Sequence, residues 1–326
     1  MNDKKTPLQY IALLAAAALA STLVFFCVSR VCFDINKGID AKYERKAARE
    51  GSGLVYPSTM GSGMGLDYLY GNVSTSIKAS QGGDRIIVYG ASTSIAGICD
   101  DMTDKVVKIC GGSATIDSYR LLRGFAQAEG LVLREDDVIM IDISPVLFKK
   151  TVLSSDVVAS ALKYGNVYEV SEDLSIKRSF ASGLKRFYAL GARNIGKSAE
   201  YLKEYIRSGS LDALFTPAVN NYARYDRLLS FDEGRKDSVR DFITSFDCKV
   251  VVNILYGSSS LFESKAGQTF NEYVDTELIP FLNERGIGYV DTRTLIPDSM
   301  YVDNTHIDRK GREIYTGYIL GEIEKK

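Results

Sequence analysis

The longest apolar run of the chain lies near its start. The stretch from Thr6 to Ser29 contains no charged residue. Its apolar core is long enough to cross a bilayer as one helix, because each helical residue adds about 1.5 Å. We therefore predict a transmembrane helix over residues 8–29, preceded by a short N-terminal tail over residues 1–7.

A cleaved signal peptide is the competing interpretation of this run. The small residues Ala18 and Ala20 flank Leu19 in the form typical of a processing site. The apolar run continues past them through Phe26, which a short signal core does not need, and this favours an uncleaved anchor. Charge does not decide the orientation, because basic residues lie on both sides of the run. They are Lys4 and Lys5 before it, and Arg30, Lys37, Lys42, Arg45, Lys46 and Arg49 after it.

Residues 30–83 are first rich in charge and then rich in glycine and serine. We interpret them as a juxtamembrane stalk, with a helix over Ala41–Glu50 followed by a flexible connector. The glycines lack the strand-then-helix setting of a nucleotide-binding loop, so they are weak evidence for phosphate binding.

From residue 84 onward, short apolar runs rich in β-branched residues alternate with helical patterns. The predicted strands are 85–89, 104–110, 137–142, 249–255 and 288–291, and the clearest predicted helices are 115–129 and 268–285. This alternation predicts an α/β domain over residues 84–326, with a parallel sheet covered on both faces. Residues 146–247 have no strong strand signal, and we interpret them as a helical insertion that caps a site.

Composition excludes several kinds of partner. The net charge is −1, with 40 basic and 41 acidic residues, so no global field favours nucleic acid. The cysteines have no spacing that resembles a zinc site. We expect no metal, no cofactor and no nucleic-acid partner.

The one histidine of the chain, His306, follows Asp303 by three positions. Histidine suits proton transfer near neutral pH, and a carboxylate a turn away can hold its tautomer while the other ring nitrogen faces a nucleophile. The candidate nucleophile is Ser92, because it follows the first predicted strand at the edge where open α/β sheets bind ligands. We expect Ser94 to cap the next helix and Asp142 to be a polar turn residue.

Together these blocks resemble the SGNH, or GDSL-like, hydrolase superfamily. The resemblance runs from Gly90–Ala91–Ser92, through a glycine turn after the second strand, to the Asp-x-x-His block at Asp303. It implies a flavodoxin-like three-layer sheet and a Ser-His-Asp esterase or acyltransferase, with Ser92 as nucleophile, His306 as base and Asp303 as its orienting partner.

The resemblance also implies an oxyanion hole. Its donors would be the backbone N–H of Ser92 and that of Gly111 or Gly112, of which we favour Gly112. Two blocks depart from the family pattern. Alanine at Ala91 replaces the usual aspartate, and Ser144–Pro145 stands where an asparagine donor is expected. The Ser144 hydroxyl is a substitute candidate.

The departures and the N-terminal anchor resemble the membrane-tethered DltD-like branch, whose members act beside a membrane-bound O-acyltransferase on cell-wall or exopolysaccharide glycans. This implies a single-pass membrane protein with a cytoplasmic N-terminus and an external domain, acting on a cell-envelope glycan or a teichoic-acid-like polymer. The alternative is a catalytically degenerate module of the same fold that binds glycan or scaffolds the acyltransferase.

Overall fold

The computed structural model describes residues 7–50, 84–99, 101–111, 114–128, 130–149, 168–170, 176–178, 182–215 and 230–325. Its centre is a five-stranded parallel sheet with the strand order β2-β1-β3-β6-β7. The strands are β1 (Ile86–Gly90), β2 (Val106–Cys110), β3 (Val138–Ile143), β6 (Lys249–Ile254) and β7 (Gly288–Asp291). This is the flavodoxin-like doubly wound order, and it confirms the predicted fold class.

Helices cover both faces of the sheet, because alternate strand residues point to opposite sides. On one face, Ile87 and Tyr89 of β1 pack with helices α3 (Ile116–Ala128) and α5 (Lys236–Ile243). On the other face, Ile86 and Val88 pack with α2 (Ser92–Gly97) and the terminal helix, α9 (Arg309–Lys325). Two apolar cores on either side of one sheet form the three layers.

The helix predicted over 268–285 is present as three consecutive helical segments. They are α7 (Lys265–Tyr273), a π-helical turn (Val274–Leu278) and α8 (Ile279–Glu284). A short helix, α6 (Ser259–Glu263), precedes them and begins with Ser258, whose hydroxyl accepts a bond from the N–H of Leu261. These elements follow the carboxyl end of β6.

The described part of the predicted insertion contains one long helix and a feature that the sequence did not reveal. The helix is α4 (Ser182–Ser208). Two short strands, β4 (Tyr168–Val170) and β5 (Ile176–Arg178), pair antiparallel, and β5 packs against α3. A purely helical insertion is therefore wrong for these residues: three-residue strands are too short for their alternation to stand out from the surrounding pattern. Residues 150–167, 171–175, 179–181 and 216–229 of the insertion lie outside the described part.

The N-terminal helix, α1 (Pro7–Glu50), continues without a break from the predicted span into the predicted stalk. One stretch of it, Gln9–Asp40, is long and apolar enough to cross a membrane by length and composition. The connector predicted over residues 51–83 lies outside the described residues.

Helix α4 lies parallel to α1 and contacts one stripe of its polar residues, from Thr22 to Asp40. The hydroxyls of Thr22 and Tyr188 are 2.6 Å apart, and Lys197 Nζ donates to Asp40 at 2.5 Å. Gly191 allows the two helices to approach closely, because a Cβ added there would lie 2.4 Å from the ring of Phe25. Helix α1 is thus packed against the long helix of the insertion.

Candidate active site

Ser92 lies at the sharp turn between β1 and α2. Strand β1 ends at Gly90, Ala91 is extended with φ −98° and ψ −167°, and the helix begins at Ser92. Three hydroxyl residues occupy this turn, but Thr93 and Ser94 are buried while Ser92 is partly exposed. Ser92 is therefore the hydroxyl that a substrate can reach.

The turn needs glycine at position 90. A Cβ added there would lie 2.0 Å from Ser94 Oγ and 3.0 Å from Asp142 Oδ2, so any side chain would collide with Ser94. Ser94 Oγ accepts a bond from the backbone N–H of Ala91 at 3.1 Å. The predicted capping role of Ser94 thus takes the form of an N3 side chain that satisfies the N–H of the N-cap residue.

The far end of α2 is held by a buried lysine. Lys108 of β2 donates to the carbonyls of Ile95 and Ile98 at 3.0 and 2.7 Å. A cation at the C-terminus of a helix satisfies carbonyls that have no intrahelical partner. Tyr256 adds a third restraint, because its hydroxyl donates to the carbonyl of Thr93 at 3.1 Å.

Asp303 and His306 lie in a tight loop closed by an antiparallel bridge between Tyr301 and Ile307. One carboxylate oxygen, Asp303 Oδ1, accepts the backbone N–H groups of Thr305 and His306 at 2.8 and 2.7 Å. The other, Oδ2, lies 2.7 Å from His306 Nδ1. The three-residue spacing thus lets one carboxylate both build the turn and hold the ring.

The fold brings this loop to Ser92, which is 214 positions away in the chain. His306 Nε2 lies 3.1 Å from Ser92 Oγ. With Nδ1–H donating to Asp303, the neutral ring presents Nε2 as an acceptor for the Ser92 hydroxyl proton. The three residues singled out from the sequence therefore form one continuous chain of hydrogen bonds.

The pKa of Asp303 reflects two opposed influences. Burial raises it, but the hydrogen bond and charge of His306 and the backbone N–H groups of Thr305 and His306 outweigh burial and leave the pKa below its usual value. The carboxylate therefore stays ionised near neutral pH and can stabilise an imidazolium.

The sequence did not indicate that Thr305 belongs to this group. Its hydroxyl lies 3.2 Å from Asp303 Oδ1 and 3.2 Å from His306 Nδ1. Its position between the aspartate and the histidine was the available signal.

One of the two expected oxyanion donors can be placed. The N–H of Ser92 lies in the first turn of α2, where no intrahelical acceptor exists. The N–H of Gly111 donates to the carbonyl of Gly90 at 3.1 Å, so it already has a partner. Gly112, the favoured second donor, lies outside the described residues. Ser144 is half-buried, and its side chain does not cap the 3-10 turn Pro145–Phe148 that follows it.

A second polar group that the sequence did not reveal lies behind Ser92. Asp142 of β3 and Asn253 of β6 are direct neighbours in the sheet. Asn253 Nδ2 donates to Asp142 Oδ1 at 2.6 Å and also lies 2.8 Å from the hydroxyl of Tyr315. The available signal was a polar residue near the carboxyl end of each of two largely apolar strands, and their pairing emerges only from the sheet register.

Comparison with known proteins gives weak similarities. No family model and no curated protein matches the chain. Among the crystal structures that resemble it are three at 10, 11 and 12% identity, with TM-scores of 0.37, 0.38 and 0.35. In that order, they are a lipolytic protein of the G-D-S-L family from Veillonella parvula, a putative acylhydrolase from Bacteroides fragilis and a GDSL-like lipase from Bacteroides thetaiotaomicron.

These similarities extend over 75, 79 and 79% of this chain and over 100, 97 and 97% of the three solved chains, respectively. All three are described as lipolytic, lipase or acylhydrolase proteins. With TM-scores below 0.5 they do not establish membership of the superfamily, which remains a prediction from the sequence.

Proposed function

We propose that this chain is a membrane-anchored serine esterase or O-acyltransferase that forms an acyl-enzyme on Ser92. The observation that carries the proposal is the chain of hydrogen bonds from Ser92 Oγ to His306 Nε2 at 3.1 Å, and from His306 Nδ1 to Asp303 Oδ2 at 2.7 Å. Distances in this range allow proton transfer to a general base without rearrangement.

The reaction follows from the order of these contacts. Ser92 Oγ attacks the carbonyl carbon of an acyl ester while His306 Nε2 takes its proton, and Asp303 stabilises the imidazolium. The backbone N–H of Ser92 donates to the oxyanion. When the tetrahedral intermediate collapses, the ester C–O bond breaks and His306 returns the proton to the leaving alcohol oxygen. Water or an acceptor hydroxyl then releases the acyl group from Ser92 by the reverse sequence.

The proposed substrate is an acylated cell-envelope glycan or a teichoic-acid-like polymer, with a membrane-bound O-acyltransferase as partner. Two features support this choice: the resemblance of the sequence blocks to the DltD-like branch, and an apolar anchor helix that packs along the insertion helix α4. A domain held against its anchor in this way would meet polymers that are synthesised at the same membrane.

The alternative function is a non-catalytic module that binds glycan or scaffolds an acyltransferase. The replacement of the usual aspartate by Ala91 and of the usual asparagine by Ser144 favours it. A module without catalysis has no need for an ionised Asp303 and an accessible Ser92 on opposite sides of one imidazole. The two functions therefore differ in whether the Ser92 hydroxyl is activated.

A fluorophosphonate probe tests that activation without knowledge of the substrate. We expect the probe to label wild-type protein at Ser92 in a peptide map, and Ser92→Ala to remove the label. Ser259→Ala is the matched control, since Ser259 is an exposed serine at the start of α6, beyond the carboxyl end of β6, and it should keep full labelling. Wild-type protein that stays unlabelled while correctly folded would support the non-catalytic module.

The orientation of the domain has its own test. With a cytoplasmic N-terminus, a C-terminal epitope tag should be removed by protease added to intact spheroplasts that express the chain, because a single span places the domain outside. An N-terminal tag should stay protected until the cells are lysed. A C-terminal tag that survives in intact spheroplasts and is lost only after lysis would reverse the proposed orientation.

A further inference from the structure

Asp142 is a buried carboxylate that the reaction above does not use. Its residue is 1% exposed, and it lies near the carboxyl end of β3, beside the end of β1 that leads to Ser92. Burying a carboxylate is costly unless it is hydrogen-bonded, and Asn253 satisfies only one of its oxygens, Oδ1. A buried acid at this position calls for an explanation beyond packing.

The second oxygen of Asp142 faces the turn that carries the nucleophile. Asp142 Oδ2 and Ser94 Oγ lie on the same side of Gly90, within 3.0 and 2.0 Å of the point that a glycine Cβ would occupy. Oδ2 has no well-aligned hydrogen-bond partner among the described residues, and the Ser94 hydroxyl is close enough to lower the pKa of the carboxyl. Ser94 Oγ in turn accepts the N–H of Ala91.

We infer that Asp142 is a positioning residue for Ser92, and that its ionised form holds the nucleophile turn through Ser94. The inference rests on the proposed function. An ionised Asp142 attracts the single Ser94 hydroxyl proton, which turns the Ser94 lone pairs toward Ala91 N–H and fixes the backbone of the residue before Ser92. A protonated Asp142 no longer attracts that proton, and the turn loses this restraint.

Asp142 ionises in a pH range in which activity can be measured. Burial raises its pKa to about 6, against hydrogen bonds from Ser94 and Asn253 that lower it. The ionisable groups around it are Tyr119 of α3, Tyr315 of α9 and Cys110 of β2. Burial first, and then the charge of Asp142, raise the pKa of both tyrosines well above the usual value. With its pKa raised to about 6, Asp142 changes charge between pH 5 and 7.

Asparagine cannot replace the carboxylate in this role. An asparagine at position 142 could still accept from Asn253 through its carbonyl oxygen. Its amide would then present donors to Ser94 Oγ, which already accepts the N–H of Ala91. The Ser94 proton would be left without an acceptor, so Asp142→Asn keeps the volume and removes the orientation.

The acid limb of the pH profile tests the inference. With p-nitrophenyl acetate as substrate, log kcat/KM of wild-type protein should fall more steeply below about pH 6 than that of Asp142→Asn, since only the wild-type protein loses an ionised Asp142 there. On the neutral side of the profile, Asp142→Asn should have kcat lowered about 10- to 100-fold and KM within about threefold of wild type, the scale of effect expected when a nucleophile is misplaced. Ser94→Ala should show the same shallower acid limb, and the double variant should be no worse than either single variant.

Asp291→Asn is the matched control, because Asp291 ends β7, two strands away from β3 in the sheet, and is exposed and paired with Arg293. It should retain the steep acid limb and wild-type kcat. An active wild-type protein whose acid limb is no steeper than that of Asp142→Asn would overturn the inference and leave the proposed function standing. A folded wild-type protein with an inert Ser92 would remove both.

Thermal melts give a second measurement that does not depend on turnover. The folded-state pKa of Asp142 lies above its unfolded value, so its contribution to stability is fully present below about pH 4 and is lost as pH rises through about 6. The melting temperature of Asp142→Asn relative to wild type should therefore increase between pH 4 and pH 7. A difference that stays constant across this range would mean that Asp142 does not titrate there, and would also overturn the inference.

Discussion

Replacement of Ser92 or His306 by alanine is expected to lower kcat/KM for p-nitrophenyl acetate or butyrate by about 10⁴-fold or more. In the proposed reaction Ser92 forms the bond to the acyl carbon and His306 transfers the proton. When residues act as one unit, the loss of any one of them lowers the rate nearly as much as the loss of all. The double variant should therefore be no slower than either single variant. Purified variants and wild-type protein would be compared under identical conditions.

The same two variants should fold normally. The described hydrogen bond of Ser92 Oγ goes to His306, and Ser92 is partly exposed, so its loss leaves no cavity in either core. Loss of the imidazole leaves Asp303 Oδ1 with the N–H groups of residues 305 and 306. We expect melting temperatures within about 2 °C of wild type. Wild-type rates in both variants would refute catalysis at this site. A large drop in melting temperature would show instead that the two side chains are needed for the stability of the fold.

The fold and the three residues of the proposed triad could be singled out from the sequence because their signals are local. A β-branched run followed by Gly90 marks the end of a buried strand, and a parallel sheet brings such ends to one edge. The Asp303 and His306 spacing is likewise local, since three residues suffice for a carboxylate to reach the backbone and ring of the histidine. These patterns depend on residues that are close in sequence, so they can be recognised without knowledge of the fold.

The supporting contacts around the site depend on register and were not predictable. The pairing of Asp142 with Asn253 exists only because β3 and β6 are adjacent with a particular alignment. Lys108 appeared as one charged residue in a strand, and its role at the end of α2 follows from the crossover that places that helix above β2. A shift of one residue in either strand would direct these side chains to the opposite face.

The packing of α1 against α4 also could not be predicted, because it joins segments that are far apart in the sequence. Thr22, Ser29 and Asn36 recur every seven residues in α1, a spacing that places polar side chains along one stripe of the helix. The stripe indicates that something covers it, but the partner lies more than 150 positions away in a region predicted only as an insertion. Asn36 donates to the carbonyl of Asn194 at 2.9 Å, a contact that no local pattern specifies.

Asp303→Asn is expected to lower kcat by about 10³- to 10⁴-fold with little change in fold. The new carbonyl oxygen can accept the N–H groups of Thr305 and His306 in place of Oδ1, so the turn survives. The amide nitrogen then faces His306 Nδ1 and donates to it, which moves the ring proton to Nε2 and deprives Ser92 of its base. The loss should appear in kcat more than in KM, because the substrate does not contact position 303 in the proposed reaction.

Asp308→Asn is the matched control, since Asp308 Oδ1 accepts the N–H of Gly311 at the start of α9 and asparagine serves equally well at such a position. It should retain activity within about twofold. The pKa of Asp303 is lowered in the folded state, so its contribution to stability is present above pH 4 and is lost as pH falls through its folded pKa. As the pH is lowered below about 4, the melting temperature of Asp303→Asn should therefore fall less than that of wild type. An Asp303→Asn enzyme within tenfold of wild-type kcat would mean that the carboxylate builds the turn but does not set the tautomer of His306.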